Sequence, residues 1–421
     1  MNWKRLTPLL TLMWLGHAWA SDAAQTISQG EYLAQAGDCS ACHTSKDGKP
    51  FAGGLKMATP LGAIYSTNIT PDRKYGIGNY SYDQFATALR EGIAKDGHHL
   101  YPAMPYTSFA KINDQDMRAL YNYFMREVQA VDQANKESDI PWPLSMRWPL
   151  AAWNWMFHSD SDYQPTMAMS GAWNRGAYLV QGLGHCGACH TPRGMAFQEK
   201  ALDESDGRYL TGATLDGWHA PNLNGNLRTG LGSWKLEEII AFLKQGHTEN
   251  TAAFGPMAEV VEKSTQHLSD DDLKAIAIYL KGLSASNPTE TAAAMDPATV
   301  AALVKGDTTQ TGSQDYLDNC AACHRLDGKG YRNTFPALAQ NTALLSEDPS
   351  ALIKIVLQGG HAPVTQQAVT GLAMPAFGWR LDNQQAADVV TFIRNGWGNQ
   401  APAVTAEQVK KVRDADSSAK P

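Results

Sequence analysis

Three amphipathic stretches at matching places are the clearest pattern along the 421-residue chain. Each opens with acidic or amide residues, near 113–116, 269–272 and 382–384, and continues with apolar residues at helical spacing. Such side chains satisfy the free N–H groups at a helix start and suit its positive dipole end. We therefore predict three helices, and we expect Tyr123, Tyr279 and Phe392 to press from them onto an earlier helix of the same repeat.

A second pattern recurs in step with these helices. An aromatic-led helical stretch, near 30–33, 176–179 and 315–317, precedes a Cys-x-x-Cys-His motif each time. The long spacing between the motifs suits three consecutive small domains better than a short-period solenoid, and the chain length allows two to four domains. The expected segments are an export signal at 1–20, a first domain at 25–135, a connector at 136–168, a second domain at 169–284, a linker at 285–305, a third domain at 306–400 and a tail at 401–421.

The connecting segments differ in composition. Residues 140–157 (IPWPLSMRWPLAAWNWMF) hold four tryptophans and three prolines, and proline predicts an extended run that leads into a short helix. We expect the tryptophans to pack between domains; an exposed patch that docks a partner or the membrane interface is the alternative. The second linker is rich in Ala, Ser, Thr and Pro, and the polar tail is predicted to be loosely ordered.

The N-terminus has the composition of a secretory signal. Lys4 and Arg5 precede an apolar run, and Ala18-Trp19-Ala20 supplies the small residues of a cleavage site before Ser21. No later segment is long and apolar enough to span a bilayer, so we expect any membrane association to be peripheral. The net charge of −7 argues against nucleic acid or anionic lipid as the main partner.

All six cysteines fall in the three motifs, which argues against disulfides in this exported chain. They are Cys39 and Cys42, Cys186 and Cys189, and Cys320 and Cys323, followed by His43, His190 and His324. Two thiols on one helical turn can each add to a vinyl group of one porphyrin, and the adjacent histidine then supplies an iron ligand. A redox dithiol does not require the histidine, and zinc would need further ligands. The motifs therefore predict three covalently bound haem c groups.

The sixth iron ligand decides between electron transfer and ligand chemistry. Each repeat offers one methionine in a proline-containing loop before its last helix: Met104, Met257 and Met374. A methionine opposite the histidine closes the iron and raises its potential, whereas an open position would admit oxygen or peroxide. The repeated position favours axial ligation over simple core filling. Comparable loops before the methionines also contain histidines: His98, His99, His247 and His361. For these histidines a structural or propionate-binding role is favoured over iron ligation. Arg193 is a further candidate partner of a propionate.

The chain also resembles a known family. The resemblance rests on residues 37–44 (GDCSACHT), 51–54 (FAGG), 64–72 (IYSTNITPD), 97–106 (GHHLYPAMPY) and 140–143 (IPWP), and it runs from about Gly30 to Trp397. These motifs resemble the tri-haem cytochrome c subunits of bacterial membrane-bound periplasmic dehydrogenases. The resemblance implies a mainly α fold of three tandem class I cytochrome c domains, with the axial iron ligands on the three histidines and three methionines named above.

The same resemblance implies a role in a complex. A large catalytic subunit, expected to contain FAD, would oxidise the substrate, and a small subunit is a further candidate partner. Electrons would pass through the haems to membrane ubiquinone at the periplasmic face of the inner membrane, with no substrate site on this chain. The short tail after Gly398 favours the gluconate 2-dehydrogenase type over a quinoprotein alcohol dehydrogenase or a sorbitol or fructose dehydrogenase. A multi-haem peroxidase-like enzyme and a freely soluble electron shuttle are the alternatives of other classes.

Overall fold

The computed structural model describes residues 27–59, 61–159 and 161–419, so the predicted export signal lies outside the described residues. Helices dominate: α1 (Gln29–Ala36), α2 (Cys39–His43), α3 (Tyr82–Glu91), α4 (Tyr106–Phe109), α5 (Asp114–Arg126), α6 (Pro149–Phe157), α7 (Gly171–Gln181), α8 (Gly187–His190), α9 (Leu236–Gln245), α10 (Pro256–Lys263), α11 (Asp270–Lys281), α12 (Pro297–Val304), α13 (Ser313–Asn319), α14 (Ala321–His324), α15 (Ser350–Gln358), α16 (Asn383–Asn395) and α17 (Ala406–Ala419). Within the described ranges, no helix combines the length and apolarity needed to cross a bilayer.

The described strands form short antiparallel pairs, and the mainly α prediction is confirmed. The pairs are β1 (Lys56–Thr59) with β2 (Gly62–Tyr65), β3 (Ala213–Leu215) with β4 (Trp218–Ala220), and β5 (Gly360–His361) with β6 (Ala373–Met374). Each Cys-x-x-Cys-His motif lies in its own part of the chain: unit one is residues 27–135, unit two is 169–284 and unit three is 306–400.

The three predicted amphipathic helices are α5, α11 and α16. Each begins at a side chain that accepts a hydrogen bond from a backbone N–H one turn later: Asn113 before α5, Ser269 before α11 and Asp382 before α16. These caps satisfy N–H groups that have no partner inside the helix. The predicted helix starts are therefore confirmed.

Each of these helices crosses an earlier helix of its own unit at very short range. A Cβ atom on Gly30 of α1 would lie 2.2 Å from the carbonyl oxygen of Ala119 on α5, and one on Gly176 of α7 would lie 2.0 Å from that of Ala275 on α11. Glycine is required because the two backbones touch there. The predicted aromatic contacts are confirmed, since Tyr123 and Tyr279 border these crossing points and the Phe392 ring lies 5.3 Å from the ring of Tyr316.

Units one and two share a single hydrophobic core, whereas unit three has its own. Buried polar contacts reinforce the shared core. The Tyr178 hydroxyl of unit two donates to Asp116 of unit one at 2.7 Å. The Tyr32 hydroxyl of unit one donates to Asp272 of unit two at 2.6 Å, and Arg175 donates to the same carboxylate at 2.7 and 2.8 Å.

Unit two also contacts unit three. The Ala337 N–H donates to the carbonyl of Asn250 at 2.8 Å, and the Trp234 indole donates to Thr342 at 3.1 Å. The amine of Lys354 lies 4.9 Å from the centre of the Trp218 ring. Unit two therefore lies against both of the other units.

The connector forms the predicted short helix, α6, but residues 142–145 form hydrogen-bonded turns, so the predicted extended run is wrong there. The packing expected of its tryptophans is wrong for three of the four. Trp142, Trp148 and Trp155 are 79%, 71% and 86% exposed. Only Trp153 is held by the protein, through an edge contact with the Tyr106 ring and an indole hydrogen bond. Asn154, the only polar residue of α6, forms its hydrogen bonds with the protein, so the exposed side of the helix is apolar.

Two segments expected to lack structure are ordered instead. Helix α12 lies inside the predicted linker and buries Leu303 in the core of unit three. The prediction of a loosely ordered tail is wrong, because α17 packs on α15 and α16 and buries Val409 completely. Its polar residues Glu407, Gln408, Lys410 and Lys411 are exposed, and this polar composition masks the narrow apolar side. Arg413 fixes the helix further by donating to the carbonyl of Gly378 at 2.6 Å.

Candidate haem sites

Each Cys-x-x-Cys-His motif forms a short helix that ends at its histidine: α2, α8 and α14. All six cysteines are free thiols, and in each pair the second cysteine is more exposed than the first. Burial raises the pKa of Cys39, Cys186 and Cys320 to about 12, so these thiols are protonated at neutral pH. A redox-active dithiol needs a lowered pKa instead. The electrostatics therefore disfavour the dithiol alternative.

The three motif histidines share one geometry that the sequence did not reveal. Nδ1 lies 2.7 Å from the carbonyl of Thr67 for His43, 2.7 Å from that of Pro221 for His190, and 2.9 Å from that of Pro336 for His324. A carbonyl only accepts, so Nδ1 must carry the proton and Nε2 keeps its lone pair. A hydrogen bond of this kind is what orients histidine ligands of metals.

Burial also keeps these imidazoles neutral. It lowers the pKa of His190 to about 4 and lowers the pKa of His43 and His324 below the ordinary value. A neutral imidazole with a free Nε2 is the form that binds iron. The thiol pairs and histidines therefore fit a covalently attached haem at each motif.

The three candidate methionines have different local settings. Met104 lies in the turn before α4 and contacts the shared core, as predicted for a proline-containing loop. Met257 instead lies in the first turn of α10, directly after Pro256, so its assignment to a loop is wrong. Pro256 has a ring that suits the first helical position and allows the helix to start there. Met374 ends the short strand β6 and contacts the core of unit three. All three are partly buried.

Four of the five other candidate polar residues, all except His247, are held by local contacts. His98 pairs with Asp96, the His361 ring lies 3.2 Å from the carbonyl of Ala362, and the His99 ring lies 3.5 Å from the amide of Asn154. The Nδ1 atom of His247 is buried without a hydrogen-bond partner. Arg193 donates from both terminal nitrogens to main-chain carbonyls, at 2.6 and 2.7 Å, while its Nε has no partner. These local bonds agree with a structural role.

A buried carboxyl beside the second motif is a feature that the sequence did not indicate. A Cβ atom on Gly187 would lie 2.5 Å from Oε2 of Glu199, so this carboxyl lies directly against the helix of the second motif. Burial raises the pKa of Glu199 to about 7, although nearby Arg193 opposes the shift. The second motif therefore has an acidic group whose charge changes near neutral pH.

The first and second motifs are close neighbours. Helix α10, which carries Met257, packs on α2. Burial raises the pKa of Asp38, just before α2, to about 8, and Glu259 of α10 adds to the shift. The ring of His185, just before the second motif, lies 5.7 Å from the ring of Phe109 in unit one. The two candidate sites therefore share their surroundings.

Paired free thiols and an oriented histidine on each of three short helices, in a mainly helical fold, define a c-type cytochrome. Residues 174–284 and 309–397 match the cytochrome c family model, and these ranges include the second and third motifs.

Relatives extend this result to the whole chain. It is 56% identical over 400 residues to the gluconate 2-dehydrogenase cytochrome c subunit of Pantoea cypripedii, covering 94% of this chain and 90% of the relative. It is 48% identical over 426 residues to the quinone alcohol dehydrogenase cytochrome c subunit of Gluconobacter oxydans, covering 98% and 87%. It is 38% identical over 415 residues to the fructose dehydrogenase cytochrome subunit of Gluconobacter japonicus, covering 94% and 84%. The chain therefore belongs to the family of dehydrogenase cytochrome c subunits, and the predicted resemblance is confirmed.

Proposed function

We propose that this chain is the three-haem electron-transfer subunit of a dehydrogenase complex at the periplasmic face of the inner membrane. It takes electrons from a large FAD-containing subunit of the gluconate 2-dehydrogenase type, with a small subunit as a further candidate partner, and passes them to ubiquinone. The observation that carries the proposal is the shared geometry of His43, His190 and His324, each with Nδ1 on a backbone carbonyl. The first motif has this geometry although it lies outside the residues matched by the family model.

Each haem, when bound, supplies one-electron iron chemistry. The chain would attach the haems through Cys39 and Cys42, Cys186 and Cys189, and Cys320 and Cys323. The iron atoms would be held by His43 and Met104, by His190 and Met257, and by His324 and Met374. The carbonyl partners keep each histidine neutral with Nε2 free for iron, and the methionines would occupy the remaining ligand position. This arrangement favours electron transfer over a peroxidase-like reaction, which needs an open position.

The packing of the units supports an electron route along the chain. Unit two contacts both of its neighbours, and α10 packs between its own unit and α2 of unit one. The strand pair β3–β4 of unit two contacts unit three through Trp218 and Lys354. We therefore place the second haem between the other two in the electron route.

Counting the attached haems tests the proposal directly. Mass spectrometry of the mature chain should show three added macrocycles, and a Cys39→Ser, Cys42→Ser double variant should show two. Ser40→Ala is the matched control, since it gives the first motif the Cys-Ala-Ala-Cys-His sequence of the third and should keep all three. Two macrocycles in the unaltered chain would contradict the three-haem assignment.

The methionine assignments need a spectroscopic test. Met104→Ala should remove the weak thioether-to-ferric-iron absorption of one haem and lower its potential, because the thioether stabilises ferrous iron. Met195→Ala is the control, since Met195 is fully exposed and should leave the spectrum unchanged. Rapid carbon monoxide binding to the unaltered reduced protein would instead favour the peroxidase-like alternative.

The partner can be identified by purification from native membranes. The 56% identity to a gluconate 2-dehydrogenase subunit supports a flavoprotein partner more than the 48% identity to an alcohol dehydrogenase subunit supports a quinoprotein. The purified complex should contain flavin and reduce a ubiquinone analogue when gluconate is added. A bound quinone cofactor in the large subunit, or isolation of this chain without a partner, would contradict this part of the proposal.

A further inference from the structure

Helix α6 is apolar around most of its surface, and its outer side exposes large apolar side chains. Trp148, Trp155 and Met156 are 71%, 86% and 56% exposed. On the opposite side, the Asn154 amide donates to the carbonyl of Glu91 at 2.9 Å, and Asn154 accepts from the Tyr106 hydroxyl at 2.7 Å. A surface helix that faced only water would carry polar residues on its outer side. The outward side of α6 therefore has the character of a binding surface.

The exposed apolar surface continues beyond the helix. The Trp153 indole donates to the carbonyl of Ala196 at 2.8 Å, which ties α6 to a loop of unit two. The residues on either side of Ala196 are both exposed. The exposed side chains of α6 and its N-cap, together with those beside Ala196, form the tryptophan patch: Trp148, Trp155, Met156, Met195 and Phe197. Large exposed apolar patches mark interaction sites, because leaving them in water is unfavourable.

The patch is held rigidly by the protein. Arg147 donates to the carbonyl of His99 at 3.0 Å, and its guanidinium lies 3.6 Å from the centre of the Tyr101 ring. The Trp153 ring makes an edge contact with the Tyr106 ring at 6.1 Å. These contacts lie on the protein side of the segment, so they hold in place the backbone that carries the exposed side chains.

The chemistry of the segment favours lipid over a protein partner. Arg147 is the only charged residue between 140 and 157, and its contacts with His99 and Tyr101 turn it inward. A protein interface normally surrounds its apolar centre with polar groups that form hydrogen bonds. Tryptophan, by contrast, is enriched where a bilayer meets water, because its ring is apolar and its N–H is polar.

We infer that the tryptophan patch inserts into the interfacial layer of a lipid bilayer, with α6 lying in the plane of the membrane. This inference deepens the proposed function and rests on it for the identity of the membrane. Binding follows from apolar burial, not from charge, because the segment offers no exposed cation and the whole chain has a net charge of −7. It should therefore be insensitive to salt and to anionic lipid.

Vesicle binding by the full-length holoprotein tests the inference. Sedimentation with vesicles of pure phosphatidylcholine, and of an equal mixture with phosphatidylglycerol, should show equal binding of the unaltered protein. A Trp148→Ser, Trp155→Ser, Met156→Ser variant should bind at least about 100-fold more weakly, since each large side chain loses part of its transfer free energy. Trp379→Ser is the matched control, because Trp379 is 81% exposed in unit three and lies outside the patch.

Three outcomes would overturn the inference: no binding of the unaltered protein to either vesicle, equal binding by the triple variant, or equal loss in the Trp379→Ser control. A triple variant that keeps vesicle binding but no longer purifies with the catalytic subunit would identify the patch as a protein interface. Haem content and absorption spectra of the same samples separate this test from the proposed function. Normal haems with failed vesicle binding would refute only the membrane patch.

Discussion

The crossing of α7 and α11 gives a quantitative prediction through Gly176→Ala. The added Cβ would lie 2.0 Å from the carbonyl oxygen of Ala275 and 2.7 Å from Cβ of Tyr279, whereas ordinary contacts begin near 3.4 Å. Overpacking a core costs about 1–3 kcal/mol, and the upper end applies here because a helix backbone cannot move alone. Alanine has a higher helix propensity than glycine, worth about 1 kcal/mol. We therefore expect a net loss of about 2 kcal/mol in the free energy of unfolding.

Thermal unfolding of the holoprotein, followed by circular dichroism, measures this loss. The unfolding temperature should fall by about 4–8 °C, on the scale of 2–4 °C for each kcal/mol in a domain of this size. Gly171→Ala is the matched control in the same helix, because nothing lies within 4 Å of its added Cβ. That control should leave stability unchanged or raise it by up to about 1 kcal/mol. Equal stability of the two variants would refute the close-crossing argument.

Three further predictions concern other contacts. Burial raises the pKa of Asp272, but hydrogen bonds from its partners, led by Arg175, hold that pKa below the ordinary value. Asp272→Asn should therefore lower the free energy of unfolding by about 2–3 kcal/mol at neutral pH. This difference should persist above pH ~4 and shrink as the pH falls through the lowered pKa, which denaturant titrations at several pH values can measure. Trp397→Ala should lower the free energy of unfolding by about 3–5 kcal/mol, because Trp397 is fully buried in the separate core of unit three. Amide hydrogen exchange should become faster in unit three alone, and faster exchange in unit one would contradict this prediction. Val409→Asp should lower the free energy of unfolding, measured with denaturant, by at least about 2 kcal/mol, because it places a charge at a buried position. Lys411→Asp is the control and should have almost no effect, because Lys411 is exposed. Equal effects of the two variants would show that α17 is not packed.

Sequence patterns predicted the parts of this fold that depend on local chemistry. The caps before α5, α11 and α16 use side chains that bond within one helical turn, so the residue type identifies them. The glycine and aromatic residues at the helix crossings recur because an equivalent pair of helices crosses at short range in each unit. The motif histidines could be singled out because each directly follows a cysteine pair, and all three have the same hydrogen-bonding geometry.

Contacts that depend on backbone atoms or on distant segments were not predictable. The carbonyl partners of the motif histidines belong to Thr67, Pro221 and Pro336, and any residue type presents a carbonyl, so the sequence carries no signal for them. The apolar side of α17 is narrow and lies among polar residues, which resemble a disordered tail in composition. The orientation of α6 depends on Asn154 meeting Tyr106, a contact across 48 positions.

The shared core of units one and two has a consequence for how the chain is made. Synthesis begins at the N-terminus, so residues 27–135 exist before α7 and α11, against which they pack, have been made. The hydroxyl of Tyr32 has no Asp272 to bond until the chain has grown by more than two hundred residues. Unit one therefore lacks part of its packing surface until unit two has been made, whereas the buried core of unit three draws only on residues 303–409.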